Sequence, residues 1–302
     1  MMNSYSLLHL DDMSNDDISS LLVDAEKIEN GKIDVASLMS NKVLVPIFLQ
    51  ESSRTFLNST SSFVQMGGAV LPMALSNTRY GSKWSEPIQD FCEVVNSCGN
   101  FVVIRSPDVE TVLKFSKFCE LPIINAGNGS GVGSEHPVQA LLDLFTIQKI
   151  YGESKLNILM MGGKHIRSAR SQIKLFHKFG HELTIMSPPA PIANEDIDEK
   201  CRSELRERDT LEEVRLKEVD IIYHNGMDEN PDVEAVAEYK ITKKRLEELN
   251  FKGKVMHSLP RKKEMSSCLD DTDYNLYFEQ IRNSKHVFQS VFLRQLNGGR
   301  YA

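Results

Sequence analysis

Short apolar runs alternate with amphipathic helical stretches along this chain, and this alternation constrains the fold more than any other feature. The runs have the length of buried strands. They occupy residues 43–49, 101–105, 121–125, 156–161, 182–186 and 220–223. Strands that alternate with helices predict parallel sheets covered by helices. The predicted fold class is therefore α/β, with two α/β domains that each hold a parallel sheet covered by helices and that are linked by helices.

The chain length predicts where these domains divide. A chain of 302 residues exceeds the usual size of one domain, for which about 150 residues is typical. We expect a first domain at residues 1–135, a connecting helix at 136–150 and a second domain at 151–285. A C-terminal helix at about 286–302 is expected to pack back on the first domain.

Composition limits the partners that the chain can bind. The net charge of −7 disfavours nucleic acid and anionic membrane surfaces. No apolar run reaches the roughly 18 residues of a membrane helix, and the N-terminus lacks the features of a signal peptide. The five cysteines are scattered without a C-x-x-C pair, which favours reduced thiols. We therefore expect a cytoplasmic protein without a bound metal.

The stretch Ser52-Ser53-Arg54-Thr55 follows the first buried run after two residues, Gln50 and Glu51. A serine there caps a helix, whose first backbone N–H groups stay available to a ligand. Together with hydroxyls and an arginine they form an oxyanion site that suits phosphate. An ordinary helix cap with a surface arginine explains this stretch equally well. Arg105 and His136 also follow predicted strands, and functional side chains of parallel sheets gather at the carboxyl ends of strands.

Four motifs carry a family resemblance. Residues 52–55 resemble the S-T-R-T phosphate motif of aspartate and ornithine carbamoyltransferases, and residues 136–146 are similar to their H-P-x-Q-x-L-x-D-L-x-T helix. Residues 165–171 and 257–261 resemble the H-S-R-V-A-R-S and H-P-L-P-R segments of the aspartate branch. The motifs occur in family order and span nearly the whole chain, which places the resemblance closer to the aspartate branch.

The resemblance implies transfer of a carbamoyl group from carbamoyl phosphate to an amine, without cofactor or metal. It implies catalytic roles for Arg54, Thr55, Arg105 and His136. By motif match, carbamoyl phosphate is bound by Ser52, Ser53, Arg54, Thr55, Arg105, His136, Gln139, Leu259 and Pro260. Lys83 matches a family lysine that enters the site from a neighbouring subunit, which implies a homotrimer with shared active sites.

The acceptor side departs from the family pattern. Arg167 matches the residue that binds the α-carboxylate of the acceptor, and the Leu259 carbonyl is expected beside it. Gly226 and Asp228, however, stand where the aspartate branch has an arginine and a glutamine. Because an acid there repels a second carboxylate, we expect an amino-acid acceptor other than plain aspartate.

Three alternatives to this expectation remain. In the first, aspartate is the acceptor and Arg79 of the neighbouring subunit supplies the missing guanidinium. In the second, the chain is a non-catalytic relative that binds carbamoyl phosphate or a partner. The third is a dinucleotide-dependent oxidoreductase, suggested by the glycine-rich residues 127–135. That run lacks the G-x-G-x-x-G spacing that such a site requires.

Overall fold

A computed structural model describes residues 6–72, 86–163, 166–187, 197–227 and 237–298. The chain divides into two compact units. The first comprises Met1–Phe145 with Asn283–Ala302, and the second comprises Thr146–Arg282. Each unit contains one parallel sheet covered by helices, as the alternation of apolar runs predicted.

The first unit is built on a parallel sheet with the strand order β2-β1-β3-β4. These strands are β1 (Val43–Phe48), β2 (Ala69–Val70), β3 (Phe101–Ser106) and β4 (Ile123–Asn128). Phe48 lies beside Arg105, and Ser106 lies beside Asn128. This register brings the carboxyl ends of the three longer strands to one edge of the sheet.

Helices cover this sheet. Their apolar residues recur at helical spacing and form one face, which is buried against the strands. They are α1 (Asn15–Glu29), α2 (Ser53–Gln65), α3 (Ile88–Cys98) and α4 (Val109–Phe118). The core between α3, α4 and the sheet contains Val45, Ile47, Phe91, Val95, Val102, Ile104, Val112 and Phe115. Full burial of such a side chain stabilises the fold by about 1.5–3 kcal/mol, so this packing sets the position of the strand ends.

The second unit contains a parallel sheet with the strand order β7-β6-β5-β8-β9. Its strands are β5 (Asn157–Met161), β6 (Glu182–Met186), β7 (Arg206–Glu207), β8 (Ile221–His224) and β9 (Lys254–His257). Among its helices are α6 (Arg167–Lys178), α7 (Glu199–Glu204) and α8 (Lys243–Glu248). The 3-10 helices Leu211–Glu213, Leu216–Glu218 and Ser267–Leu269 also belong to this unit.

Two long helices contain the unit boundaries: α5 (Pro137–Tyr151) and α9 (Tyr277–Leu296). The part of α9 from Asn283 onward belongs to the first unit and is bonded to α1. Ser290 Oγ donates to the Leu21 carbonyl oxygen at 2.7 Å. Arg294 Nη2 lies 2.6 Å from Asp17 Oδ1. These contacts join the last described helix to the first one.

The charged composition of residues 195–213 predicts one solvated helix, but the described part of this stretch does not form a single helix. Helix α7 ends at Glu204, and β7 follows, pairing Arg206 with Thr184 of β6. Leu211 is then buried in the core. Backbone pairing along the edge strand and burial of one leucine outweigh the helix propensity of lysine and glutamate here.

Two further findings concern the whole set of described residues. None of the helices in these ranges is both long and apolar enough to span a bilayer. All five cysteines lie in the described ranges and carry free thiols.

Candidate active site

Helix α2 begins where the sequence predicted, with Ser52 as its N-cap in an extended conformation. The serine side chain does not bond to a helix amide; its Oγ instead donates to Thr55 Oγ1 at 3.0 Å. The first turn holds no acidic residue. The positive end of the helix dipole and two hydroxyl groups therefore meet at this point, as an anion site requires.

Arg54 lies in the first turn of α2 and is partly buried. Burial lowers the pKa of its guanidinium below the ordinary value of arginine, because the charged form loses water. Arginine remains charged at neutral pH despite such a shift. A partly desolvated cation interacts more strongly with an anion than a fully hydrated one.

Arg105 lies near the carboxyl end of β3 at the same edge of the sheet. Its Nη1 donates to the Ala126 carbonyl oxygen of β4 at 3.0 Å. Its own carbonyl oxygen accepts the Leu49 N–H at 2.8 Å, directly after β1. These bonds tie Arg105 to both neighbouring strands, so the position of its guanidinium depends on the whole sheet.

A short bridge between Asn128 and Glu135 holds the residue before His136. The Asn128 N–H donates to the Glu135 carbonyl oxygen at 3.0 Å, and the Glu135 N–H donates to Asn128 Oδ1 at 2.9 Å. Glu135 Oε2 also accepts the Leu10 N–H at 3.1 Å. His136 is buried, and its carbonyl oxygen accepts the N–H of Gln139, in the first turn of α5, at 3.1 Å.

The glycine-rich run before this bridge has a steric cause. Gly129 has φ +62, and an added Cβ would lie 2.3 Å from Val109 Cγ2 and 2.9 Å from the Val109 nitrogen. A side chain therefore fits neither the backbone conformation nor the space. The run turns the chain closely over the start of α4, which explains its glycine content without a dinucleotide.

Gln139 is oriented by a buried carboxylate one helical turn further on. Its Nε2 donates to Asp143 Oδ1 at 2.9 Å, and Asp143 is fully buried. The carboxylate only accepts hydrogen bonds, so the amide nitrogen must face it. The Gln139 Oε1 then points away from Asp143 and can accept an N–H from a ligand. Sequence reasoning selected Gln139 and missed Asp143 as its support.

Arg167 is the first residue of α6, beyond the carboxyl end of β5 in the second unit. It is partly buried, and burial lowers the pKa of its guanidinium. The Leu259–Pro260 peptide bond, which is cis, follows β9 at the same edge of this sheet. Leu259 has φ +51, and its N–H donates to His257 Nδ1 at 2.7 Å.

His257 is bonded to Glu264, a residue that sequence reasoning did not select. Both side chains are buried, and His257 Nε2 lies 2.9 Å from Glu264 Oε1. Burial acts to raise the pKa of Glu264, but hydrogen bonds from His257 and the Lys262 N–H outweigh it and lower the pKa below its ordinary value. The carboxylate is therefore ionised and fixes the ring beside the Leu259 turn.

The predicted site residues fall into three groups. Those at the carboxyl edge of the first sheet are Ser52, Ser53, Arg54, Thr55, Arg105, His136 and Gln139. Those at the carboxyl edge of the second sheet are Arg167, Leu259 and Pro260. Lys83, Arg79 and Asp228 lie outside the described residues.

Comparison with known proteins covers both units. Residues 5–149 match the aspartate/ornithine carbamoyltransferase carbamoyl-P binding domain, and residues 154–294 match the Asp/Orn binding domain of the same family. The aspartate carbamoyltransferase catalytic subunit of Thermoplasma volcanium is 30% identical over 93% of this chain and 94% of its own length. That of Archaeoglobus fulgidus is 33% identical over 91% and 93%.

A solved structure agrees with these relatives. The aspartate transcarbamoylase of Trypanosoma cruzi, in complex with carbamoyl phosphate and aspartate, superposes with a TM-score of 0.82 at 25% identity. The match covers 96% of this chain and 96% of that one. The two parallel sheets and the matches of both units to the same family lead to one conclusion. The chain belongs to the aspartate/ornithine carbamoyltransferase family and is a carbamoyltransferase.

Proposed function

We propose that this carbamoyltransferase uses L-aspartate as its acceptor and releases N-carbamoyl-L-aspartate and phosphate. The observation that carries this proposal is full-length similarity to proteins named aspartate carbamoyltransferase catalytic subunit. The T. cruzi enzyme that was solved with carbamoyl phosphate and aspartate supports it. These similarities favour aspartate over the other amino acid that Gly226 and Asp228 led us to expect.

The donor half of the proposed site binds the phosphate of carbamoyl phosphate. Ser52, Ser53 and Thr55 offer hydroxyls and backbone N–H groups at the start of α2, and Arg54 offers a partly buried cation. Charge-assisted hydrogen bonds of this kind are about twice as strong as neutral ones. The site therefore binds the dianion and also stabilises phosphate as it leaves.

The reacting carbonyl group lies beyond the phosphate. Arg105 and His136 donate to its oxygen, while Gln139 Oε1 accepts from its amide. The amine nitrogen attacks the carbonyl carbon, the carbon–oxygen bond to phosphate breaks, and the departing phosphate takes the amine proton. Donors held in place before the reaction stabilise the charge that develops on both oxygens.

The acceptor half combines one cation with a turn of the second sheet. Arg167 binds the α-carboxylate of aspartate, and the Leu259 turn lies beside it in the site. Arg79 of a neighbouring subunit pairs with the side-chain carboxylate and offsets Asp228. A different amino acid remains the second candidate, because Gly226 has φ +84 and carries no side chain.

The proposed working unit is a homotrimer in the cytoplasm. Lys83 of one subunit completes the phosphate site of its neighbour, and the free thiols of the chain suit a reducing compartment. In this proposal, carbamoyl phosphate binds to a domain of residues 1–135 with 286–302, and the acceptor binds to a domain of residues 151–285. Residues 136–150 connect the two domains. The two family matches support the boundary near residue 150, because the first ends at 149 and the second begins at 154. The assignment of residues 286–302 to the first domain agrees with the compact unit that contains Asn283–Ala302.

A panel of amino acids tests the acceptor. Purified enzyme is given labelled carbamoyl phosphate and each amino acid in turn, and carbamoylated product is measured. We expect the highest kcat/KM with L-aspartate. Preference for a polar or cationic amino acid would overturn aspartate and support the second candidate. Absence of turnover with bound carbamoyl phosphate would indicate the non-catalytic relative.

Subunit mixing tests the shared site. Lys83→Gln and Arg105→Ala each inactivate every site of a pure trimer, but a mixed trimer has sites in which both residues are intact. We expect mixing to restore activity that neither variant has alone.

Arg79→Ala should raise the KM for aspartate steeply with little change in the affinity for carbamoyl phosphate. An unchanged KM would remove Arg79 from the site.

A further inference from the structure

Two histidines end neighbouring strands of the second sheet in the same way. His224 is the last residue of β8, His257 is the last residue of β9, and the two are paired in register. Their rings stack with centroids 5.5 Å apart and planes inclined by 8°. Both side chains are fully or almost fully buried, with 0% and 1% exposure.

Each ring also makes the same hydrogen bond with the chain that follows it. His224 Nδ1 accepts the Gly226 N–H at 3.0 Å, and His257 Nδ1 accepts the Leu259 N–H at 2.7 Å. A backbone N–H can only donate, so both Nδ1 atoms are unprotonated and the ring proton is on Nε2. The two Nε2–H groups donate to the Tyr239 carbonyl oxygen at 3.1 Å and to Glu264 Oε1 at 2.9 Å.

The residues that donate to these rings both have positive φ, +84 at Gly226 and +51 at Leu259. Each histidine therefore stabilises a sharp bend of the chain two residues beyond its strand. The bends are also joined to each other, since Ser258 Oγ donates to the Asn225 carbonyl oxygen at 3.2 Å. The Gly226 carbonyl oxygen accepts the Gly163 N–H at 3.1 Å, which fixes the glycine peptide from the other side.

We infer that His224 is a positioning residue for the acceptor, because it holds the 225–227 turn in register with the Leu259 turn. This inference rests on the proposed function, in which the Leu259 turn and the segment after β8 form the acceptor half of the site. A side-chainless residue at 226 contributes only its backbone, so the position of that peptide determines the shape of the site there. The ring acts by accepting a hydrogen bond at Nδ1 and does not touch the amino-acid substrate itself.

Three variants separate this role from simple packing. His224→Leu fills the space without a hydrogen-bond acceptor atom. His224→Asn keeps such an atom, because an asparagine side chain can accept the backbone N–H two residues further on, here that of Gly226. His181→Leu is the matched control: His181 is a buried histidine whose Nδ1 accepts the Leu156 N–H at 3.2 Å. It lies before β6, at the opposite edge of the same sheet.

We expect H224L to raise the KM for the acceptor by about tenfold, the scale of one lost hydrogen bond, with unchanged affinity for carbamoyl phosphate. H224N should recover most of this loss, and H181L should keep the wild-type KM. An acceptor KM in H224L that matches H181L would overturn the inference. So would an H224N variant that is no better than H224L.

Two measurements do not depend on turnover. Hydrogen exchange of the Gly226 amide should be slow in the wild type and in H224N and faster in H224L. Nitrogen NMR of the wild type should show His224 neutral and protonated on Nε2; protonation on Nδ1 would overturn the inference even if H224L does not fold. A wild type that carbamoylates no amine refutes the proposed function alone, and the exchange data still decide the positioning role.

Discussion

Substituting alanine for Gly162 should displace the turn that holds Gly226. Gly162 follows β5 with φ +91, and an added Cβ would lie 2.2 Å from the Gly226 carbonyl oxygen. Real Cβ atoms essentially never approach closer than 3.0 Å, so one of the two backbones must move by at least about 0.8 Å, the difference between these two distances. The movement breaks the bond from the Gly163 N–H to the Gly226 carbonyl oxygen, which is 3.1 Å long.

The size of the effect follows from two contributions. A non-glycine residue held at such a φ costs about 1–3 kcal/mol. Loss of one backbone hydrogen bond costs about 0.5–1.5 kcal/mol. We therefore expect Gly162→Ala to lower the free energy of unfolding by about 2–4 kcal/mol. A displacement of this size in the acceptor half should lower kcat/KM for the acceptor by about 10²-fold.

Gly152→Ala is the control, because Gly152 also has positive φ, +63, but no heavy atom lies within 4 Å of its added Cβ. It should show the backbone strain alone, with unchanged acceptor kinetics. Urea unfolding of both variants, followed by circular dichroism, and steady-state kinetics with varied acceptor give the comparison. Equal losses of stability in the two variants, together with wild-type acceptor kinetics in Gly162→Ala, would refute the reasoning.

Three other perturbations have outcomes that the structure determines. Burial lowers the pKa of His224 from 6.5 to about 3, so its contribution to stability is complete above pH 6.5 and is lost as the pH falls toward 3. Unfolding free energies measured across this range should fall by up to about 1 kcal/mol per pH unit more in the wild type than in H224N; parallel curves would contradict this. Arg294→Ala removes the 2.6 Å contact with the partly exposed Asp17 and should lower the unfolding free energy by about 0.5–1 kcal/mol. The same substitution should raise the pKa of Asp17 in an NMR titration, and an unchanged pKa would argue against the ion pair. Gln139→Glu places a second carboxylate against buried Asp143 and should weaken carbamoyl phosphate binding by at least about tenfold. Calorimetry measures this affinity, and an unchanged value would contradict the prediction.

Much of the fold could be predicted from the sequence because the relevant signals are local. Apolar runs of strand length alternate with helical periodicity, and this pattern alone implies parallel sheets covered by helices. The stretch 52–55 could be selected for the same reason, since its hydroxyls, its arginine and the helix start are contiguous. The 195–213 stretch shows the limit, because its edge strand depends on pairing with β6, which the local composition does not reveal.

What only the tertiary structure decided involves residues that are far apart in the chain. The stacking of His224 on His257 depends on the register of β8 and β9, and the clearance that Gly162 requires is set by the Gly226 carbonyl oxygen across the sheet. Neither relationship leaves a periodic signal, because it follows from how strands pair and not from neighbouring residues. The sequence thus determined the alternation of elements and the residue types of the proposed donor site. The packing of whole sheets determined how the turns of the acceptor half are held, since strand register is a property of the complete fold.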